Sequence, residues 1–268
     1  MESPEGWTVI GGSVTGRAHA NQGIACGDAH GWAVEPSRLR TCLAVADGAG
    51  STARAAEASA LATKVVVDAL VDAPKVNESS VRAAFTAAHD ALIDQAHRDG
   101  IGVDALGTTL GVGVVSEHVL VVGQVGDTIA VAKRDGVNIS LSPVQHDEGT
   151  NQAGLLTADD WESHLRVDVV STVGYEGFAL ATAGLRYKVL DDLATATPHQ
   201  PFFDEIFAFA PDHPQASDDV LAFLERLDDQ TGDDLTLVVA VPAPVRKTVR
   251  VANTYRLHRS ANRGTPPS

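Results

Sequence analysis

The sequence predicts an α+β fold: two antiparallel sheets flanked by helices. Three observations carry the prediction. From Gly107 to Lys133 apolar runs of strand length recur with only short turns between them, and strands joined that way pair antiparallel. Two long helical stretches follow one another directly, so the strand–helix alternation of a doubly wound sheet is missing. The chain then returns to strand pattern, passes through a helical stretch and closes on one last apolar run, Leu235 to Val241.

Taken in order, Trp7-Thr8-Val9-Ile10 and the Gly11-Gly12-Ser13 after it read as a first strand. Residues 16–28 show no periodicity and read as a long loop. A second strand begins within residues 31–34, and a third spans 39–46. An alanine-rich helix is expected from about Ala53 to Val71, stopped by Asp72-Ala73-Pro74. A second helix runs from Val81 to about Arg98, with Ser79 or Ser80 as its N-cap and Val81, Phe85, Ala88 and Leu92 along one face. Strands follow at 107–115, 119–125 and 128–133, with a break at Gly126-Asp127 and a hairpin turn at Asp135-Gly136. The polar residues 143–163 are expected to form a flap or short helices over one face. Strand pattern resumes at 167–172 and 177–182, and residues 188–227 read as helices broken near Pro198, Pro211 and Pro214. No internal repeat occurs, so one domain is expected over residues 1–244, followed by a basic tail.

Composition narrows the function classes. No stretch of about 18 or more uncharged apolar residues occurs, so no membrane span is expected. The acidic, polar start Met1-Glu2-Ser3-Pro4-Glu5 is unlike a signal peptide. Two cysteines, Cys26 and Cys42, are too few for a disulfide framework or a cysteine zinc site, and a reduced, cytoplasmic setting is expected. Residues 245–268 hold six basic side chains and no acidic one, so residues 1–244 carry 14 basic against 35 acidic, a net −21. A body this acidic repels nucleic-acid phosphates. The tail is expected to be a disordered, solvated end.

The sequence is organised around Leu43-Ala44-Val45-Ala46-Asp47-Gly48-Ala49-Gly50-Ser51. A buried strand ends on an aspartate, and glycines then let the chain turn tightly and bring a carbonyl close to a ligand. A strand-end Asp with a free Gly carbonyl is an oxygen pair suited to a hard divalent cation. Asp28, Asp127 and Asp233 stand at similar positions, each beside a glycine. Gathered at one edge of a sandwich, these carboxylates would make an all-oxygen cage for Mg²⁺ or Mn²⁺. The histidines show no paired spacing for zinc.

Seven stretches in order resemble the metal-dependent serine/threonine protein phosphatases of type 2C, in the bacterial branch that opens with Gly-x-x-His. They are Gly16-Arg17-Ala18-His19, Cys26-Gly27-Asp28-Ala29, Val45 to Ser51, Gly107-Thr108-Thr109-Leu110, Val125-Gly126-Asp127-Thr128, Asn151 to Thr157, and Gly232-Asp233-Asp234-Leu235-Thr236-Leu237. Pro198-His199-Gln200-Pro201-Phe202-Phe203 also looks typical of the branch. The resemblance implies a four-layer α/β/β/α sandwich. It implies two Mn²⁺ or Mg²⁺ ions bridged at Asp47, with the Gly48 carbonyl on one and Asp233 on the other. Asp28 would bind directly or through water, and Asp127 matches an aspartate linked with a weaker third ion. A metal-activated water would attack the phosphorus of phosphoserine or phosphothreonine, with His19 protonating the leaving oxygen. The implied partners are a phosphorylated protein and, by analogy, a cognate serine/threonine kinase or its targets.

Two positions depart from the family pattern. Where the family has Asp-Gly at a strand end, this chain has Ala183-Gly184, and Ala183 supplies no side-chain oxygen. Gly27 stands where a polar or acidic residue usually precedes Asp28. The sequence therefore supports two readings: a working metal-dependent phosphatase, or a pseudophosphatase that binds a phosphoprotein or partner in the same cleft without turnover.

Overall fold

The first and last strands of the described residues lie in the same sheet. In this computed structural model, which describes residues 6–35, 37, 39–49, 54–116, 118–141, 154–212, 217–227 and 230–243, strand β1 (Trp7–Val14) leads through a short helix α1 (Arg17–Asn21) to β2 (Asp28–Glu35) and β3 (Arg40–Asp47). Helices α2 (Ala55–Asp72) and α3 (Glu78–Asp99) follow, then β4 (Leu110–Val115), β5 (Val119–Val125), β6 (Ile129–Arg134) and β7 (Val137–Ser140). After α4 (Trp161–His164) come β8 (Arg166–Ser171), β9 (Tyr175–Ala181) and α5 (Arg186–Val189). A small ribbon of β10 (Leu190–Asp192) and β11 (Thr197–Pro198) precedes α6 (Gln200–Phe209), α7 (Ser217–Arg226) and the closing strand β12 (Leu235–Pro242).

The strands form two five-stranded antiparallel sheets, ordered β1-β12-β9-β6-β7 and β2-β3-β4-β5-β8. Side-chain alternation on β3 shows how the layers are built. Cys42, Ala44 and Ala46 face α2 and α3, where Ala58, Ala62, Val66, Phe85 and Leu92 meet them. Leu43 and Val45 face the other sheet and meet Phe178, Leu180 and Val238. On that sheet's outer face Ile10, Leu237 and Val239 pack against Phe203, Ile206, Val220 and Leu224 of α6 and α7. The predicted α+β fold, a four-layer sandwich with helices outside both sheets, is the fold found. Among the described residues no helix is long and apolar enough to cross a membrane.

Several local expectations change. Residues 16–28 include the five-residue helix α1, too short to show a period. Helix α3 starts earlier, at Glu78: Asn77 is its cap, and Ser80 is the N3 partner that closes a reciprocal capping box. The break expected near Pro198 is present, but residues 190–198 before it carry the β10–β11 ribbon in place of helix. Gly126-Asp127 does not join two paired strands, because β5 and β6 belong to different sheets and the chain crosses between layers there. Of the expected flap, residues 143–153 lie outside the described residues, as do the Asn151–Ala153 part of a motif, Gly50-Ser51 and the basic tail.

This crossing fixes where a site can form. Strand β3 ends at Asp47, and the antiparallel registers carry that end round the molecule. The start of β2, the start of β4, the β5–β6 crossing, the end of β9, the start of β12 and the end of β1 all lie there. Asp28, Asp47, Asp127, residue 183 and Asp233 therefore share one end of the sandwich.

Candidate metal centre

Asp47 is held from its backbone. Its N–H donates to Thr109 Oγ1 at 3.0 Å, and its carbonyl accepts from the Thr109 N–H at 2.9 Å and from Thr108 Oγ1 at 3.0 Å. The Gly-Thr-Thr segment is thus the clamp on the strand end. Gly48 then forms a bridge with Thr108 and donates its N–H to the Gly27 carbonyl. A side chain at Gly48 would put its Cβ 2.4 Å from the Ala55 carbonyl oxygen, so the turn into α2 needs glycine here. Asp28 faces Asp47 across the β2–β3 pair.

Asp28 is buried, and one of its oxygens is satisfied: Thr182 Oγ1 donates to Oδ2 at 2.7 Å. Its Oδ1 is buried with no hydrogen-bond partner among the described residues. Burial pushes the Asp28 carboxyl above the ordinary carboxylate range; hydrogen bonds from Thr182 and Thr236 pull it partly back, and the charges of Asp234 and Asp233 push it up again. Asp47 is pushed up further, first by burial and then by Asp28, Asp233, Asp127 and Asp234. Carboxylates that raise one another in this way converge on one space.

The predicted residues are not all placed alike. Asp233 is half-buried and accepts the Asp234 N–H at 3.0 Å on its own Oδ1. Asp127 is the outlying member, with its side chain 43% exposed and Arg186 Nη2 at 3.5 Å from Oδ2. His19 on α1 brings Nδ1 to 3.0 Å from Asp234 Oδ2. That contact lies off the alignment of a hydrogen bond, and the buried nitrogen has no hydrogen-bond partner among the described residues. Among the described residues the acidic and histidine side chains do not close into a ready group of three metal ligands.

Two residues matter that sequence reasoning missed. Asp234 is fully buried, and its carboxylate accepts the Gly16 N–H at 2.7 Å and the Gly27 N–H at 2.6 Å. It ties the loop that carries His19 and Asp28 to the start of β12. One signal was available: adjacent residues entering a strand point to opposite faces, so of Asp233 and Asp234 only one can face outward. Thr182, completely buried, also accepts the Thr236 N–H at 3.1 Å, so one hydroxyl joins Asp28 of one sheet to β12 of the other.

Comparison with known proteins follows the same outline. No curated protein is significantly similar to the chain. Solved structures match well in shape. PppA, a key regulatory component of T6SS in Pseudomonas aeruginosa, has TM-score 0.60 and 20% identity over 90% of this chain and 99% of its own. The Mycobacterium tuberculosis serine/threonine phosphatase PstP/Ppp has TM-score 0.60 and 19% identity over 89% and 99%. The serine/threonine phosphatase Stp1 from Staphylococcus aureus has TM-score 0.60 and 15% identity over 90% and 97%. At these identities the likeness speaks for the fold. The family model described as protein phosphatase 2C matches residues 15–225, most of the sandwich and most of its acidic end, and the chain belongs to that family.

Proposed function

We propose that this protein is a metal-dependent phosphatase acting on phosphoserine and phosphothreonine in proteins. The observation that carries the reading is the excess of carboxylate at one end of the sandwich: Asp28, Asp127, Asp233 and Asp234 all raise Asp47. A buried Asp28 oxygen without a partner is costly unless something positive meets it. The residues therefore fit divalent ions, and the family is in general Mn²⁺- or Mg²⁺-dependent. Asp47, the Gly48 carbonyl, Asp233 and Asp28 are the groups that would hold two ions. Bound there, such ions supply Lewis acidity that acidifies a water and offsets charge on a phosphoryl group.

The chain's own residues do the rest. Thr108 and Thr109 fix Asp47, and Asp234 fixes the loop before Asp28. With Nδ1 beside Asp234, His19 has Nε2 left to donate a proton to the departing serine or threonine oxygen. The net negative body selects against nucleic acid. A phosphoprotein, such as a kinase of the same signalling circuit or its targets, is the partner class this chemistry suits.

A second reading has its own support. Ala183, buried at the same end, offers no side-chain oxygen where the family pattern has aspartate. A site short of one carboxylate binds ions less tightly, which favours a pseudophosphatase that holds a phosphoprotein without turnover. The test is hydrolysis of a phosphoserine peptide against added Mn²⁺. Phosphate release that rises with millimolar Mn²⁺ supports the catalyst; binding of the peptide with no release supports the second reading. In the same assay Ala183→Asp is expected to raise both Mn²⁺ affinity and rate. An unchanged affinity would separate residue 183 from the ion site.

A further inference from the structure

The edge of the cleft nearest Asp127 carries its own positive charge. Arg186, at the start of α5, donates from Nε to the Ala183 carbonyl at 2.9 Å, and its Nη2 stands 3.5 Å from Asp127 Oδ2. One guanidinium thus spans two oxygens that come from different parts of the chain, the β5–β6 crossing and the end of β9. Residue 183 contributes only its carbonyl, and that carbonyl is taken. Arginine suits such a post, because its charge is permanent and its donors form a planar fork. The Asp127 contact is long for a charge-assisted hydrogen bond, which is typically 2.7–2.9 Å.

We propose that Arg186 is a built-in cation at this edge: it occupies the Asp127 carboxylate and the Ala183 carbonyl, so no metal ion binds there. Resting on the phosphatase reading, this gives the phosphoryl group a positive neighbour whose presence does not depend on metal supply. Arg186 then acts as a positioning residue beside the ions that Asp47 and Asp233 would hold.

Mn²⁺ binding to the full chain, counted by calorimetry and by electron paramagnetic resonance of the free ion, tests this without any turnover. Asp127→Asn is expected to leave the count of bound ions unchanged. Arg186→Ala and Arg186→Gln are each expected to add one further, weaker ion, and Asp127→Asn on top of either should remove it. Arg186→Lys keeps a positive charge and should match the unaltered protein. A lower count in Asp127→Asn alone overturns the proposal, because Asp127 would then already hold an ion. So does an unchanged count in both Arg186→Ala and Arg186→Gln. If the unaltered protein binds no Mn²⁺ the phosphatase reading fails, while the Asp127-dependent gain in the arginine variants still decides this one.

Discussion

Asp47→Asn is expected to abolish Mn²⁺-stimulated phosphate release and, in the metal-free protein, to raise the melting temperature. The two effects have one cause. Asp47 is driven up in pKa by burial and by four neighbouring carboxylates, so in the absence of a cation its ionised form destabilises the folded state. A carboxyl raised in the native state binds its proton more tightly there than in the unfolded chain. Its contribution to stability is therefore full at low pH and is lost as pH climbs from the ordinary carboxylate range through the raised native value. Metal-free protein should melt lower at pH 8 than at pH 6, and the asparagine variant should show a flatter slope. A gain of roughly 2–8 °C at pH 8 is expected, taking one to two kcal/mol and about 2–4 °C per kcal/mol for a chain of this size. Turnover should fall by about 10³-fold or more, since ions held at Asp47 would supply several kcal/mol to the transition state. Scanning calorimetry in chelator at the two pH values, beside a phosphate-release assay, checks both. A variant that melts lower than the parent at pH 8 would contradict the charge argument.

Gly184→Ala is expected to be strongly damaging for a single added methyl group. Its Cβ would lie 2.0 Å from the Asp234 carbonyl oxygen and 3.0 Å from the carbon. Both are backbone atoms at the start of β12, so no rotamer change relieves the clash. The start of β12 must shift, and with it the Asp233 carboxylate and the Asp234 contacts to Gly16 and Gly27. Overpacking of this kind costs about 1–3 kcal/mol, a fall of roughly 2–12 °C in melting temperature. Loss of Mn²⁺ affinity by ~10-fold or more should accompany it, because second-neighbour supports of a metal site carry that weight. Gly102→Ala is the control: an added Cβ meets nothing within 4 Å there, and neither quantity should move. Unchanged Mn²⁺ affinity in a Gly184→Ala protein that has lost stability would separate the start of β12 from ion binding.

The fold was legible where the physics is local. Apolar runs bounded by glycine gave β3, β5, β6 and β12 nearly to the residue, and the alanine-rich run gave α2. The strand-end aspartates were legible for the same reason, since Asp47, Asp127 and Asp233 stand beside glycines at the ends of such runs. Partner choice was not. A two-residue turn at Gly126-Asp127 carries no mark of whether the next strand folds back or crosses to another layer, because both use the same left-handed glycine, here at φ +95°. Arg186 was invisible for a similar reason: it is 59 positions from Asp127, and only the sheet registers bring them together. Asn77 lost to Ser79 and Ser80 in the reading of α3 because all three are good caps, and only the paired hydrogen bonds choose among them.

Strand β12 lies between β1 and β9, so the first sheet is held open until this strand slots in. On the ribosome that segment emerges after the other four strands of its sheet. A nascent chain that has made β1 and β9 would display two unsatisfied ladder edges bearing Ile10 and Leu180, the sort of surface that invites aggregation and chaperone capture. Asp233 and Asp234 arrive with the same segment, so a chain cut short before it would lack the Asp233 carboxylate and the buried tie from Asp234 to the Gly16 and Gly27 N–H groups.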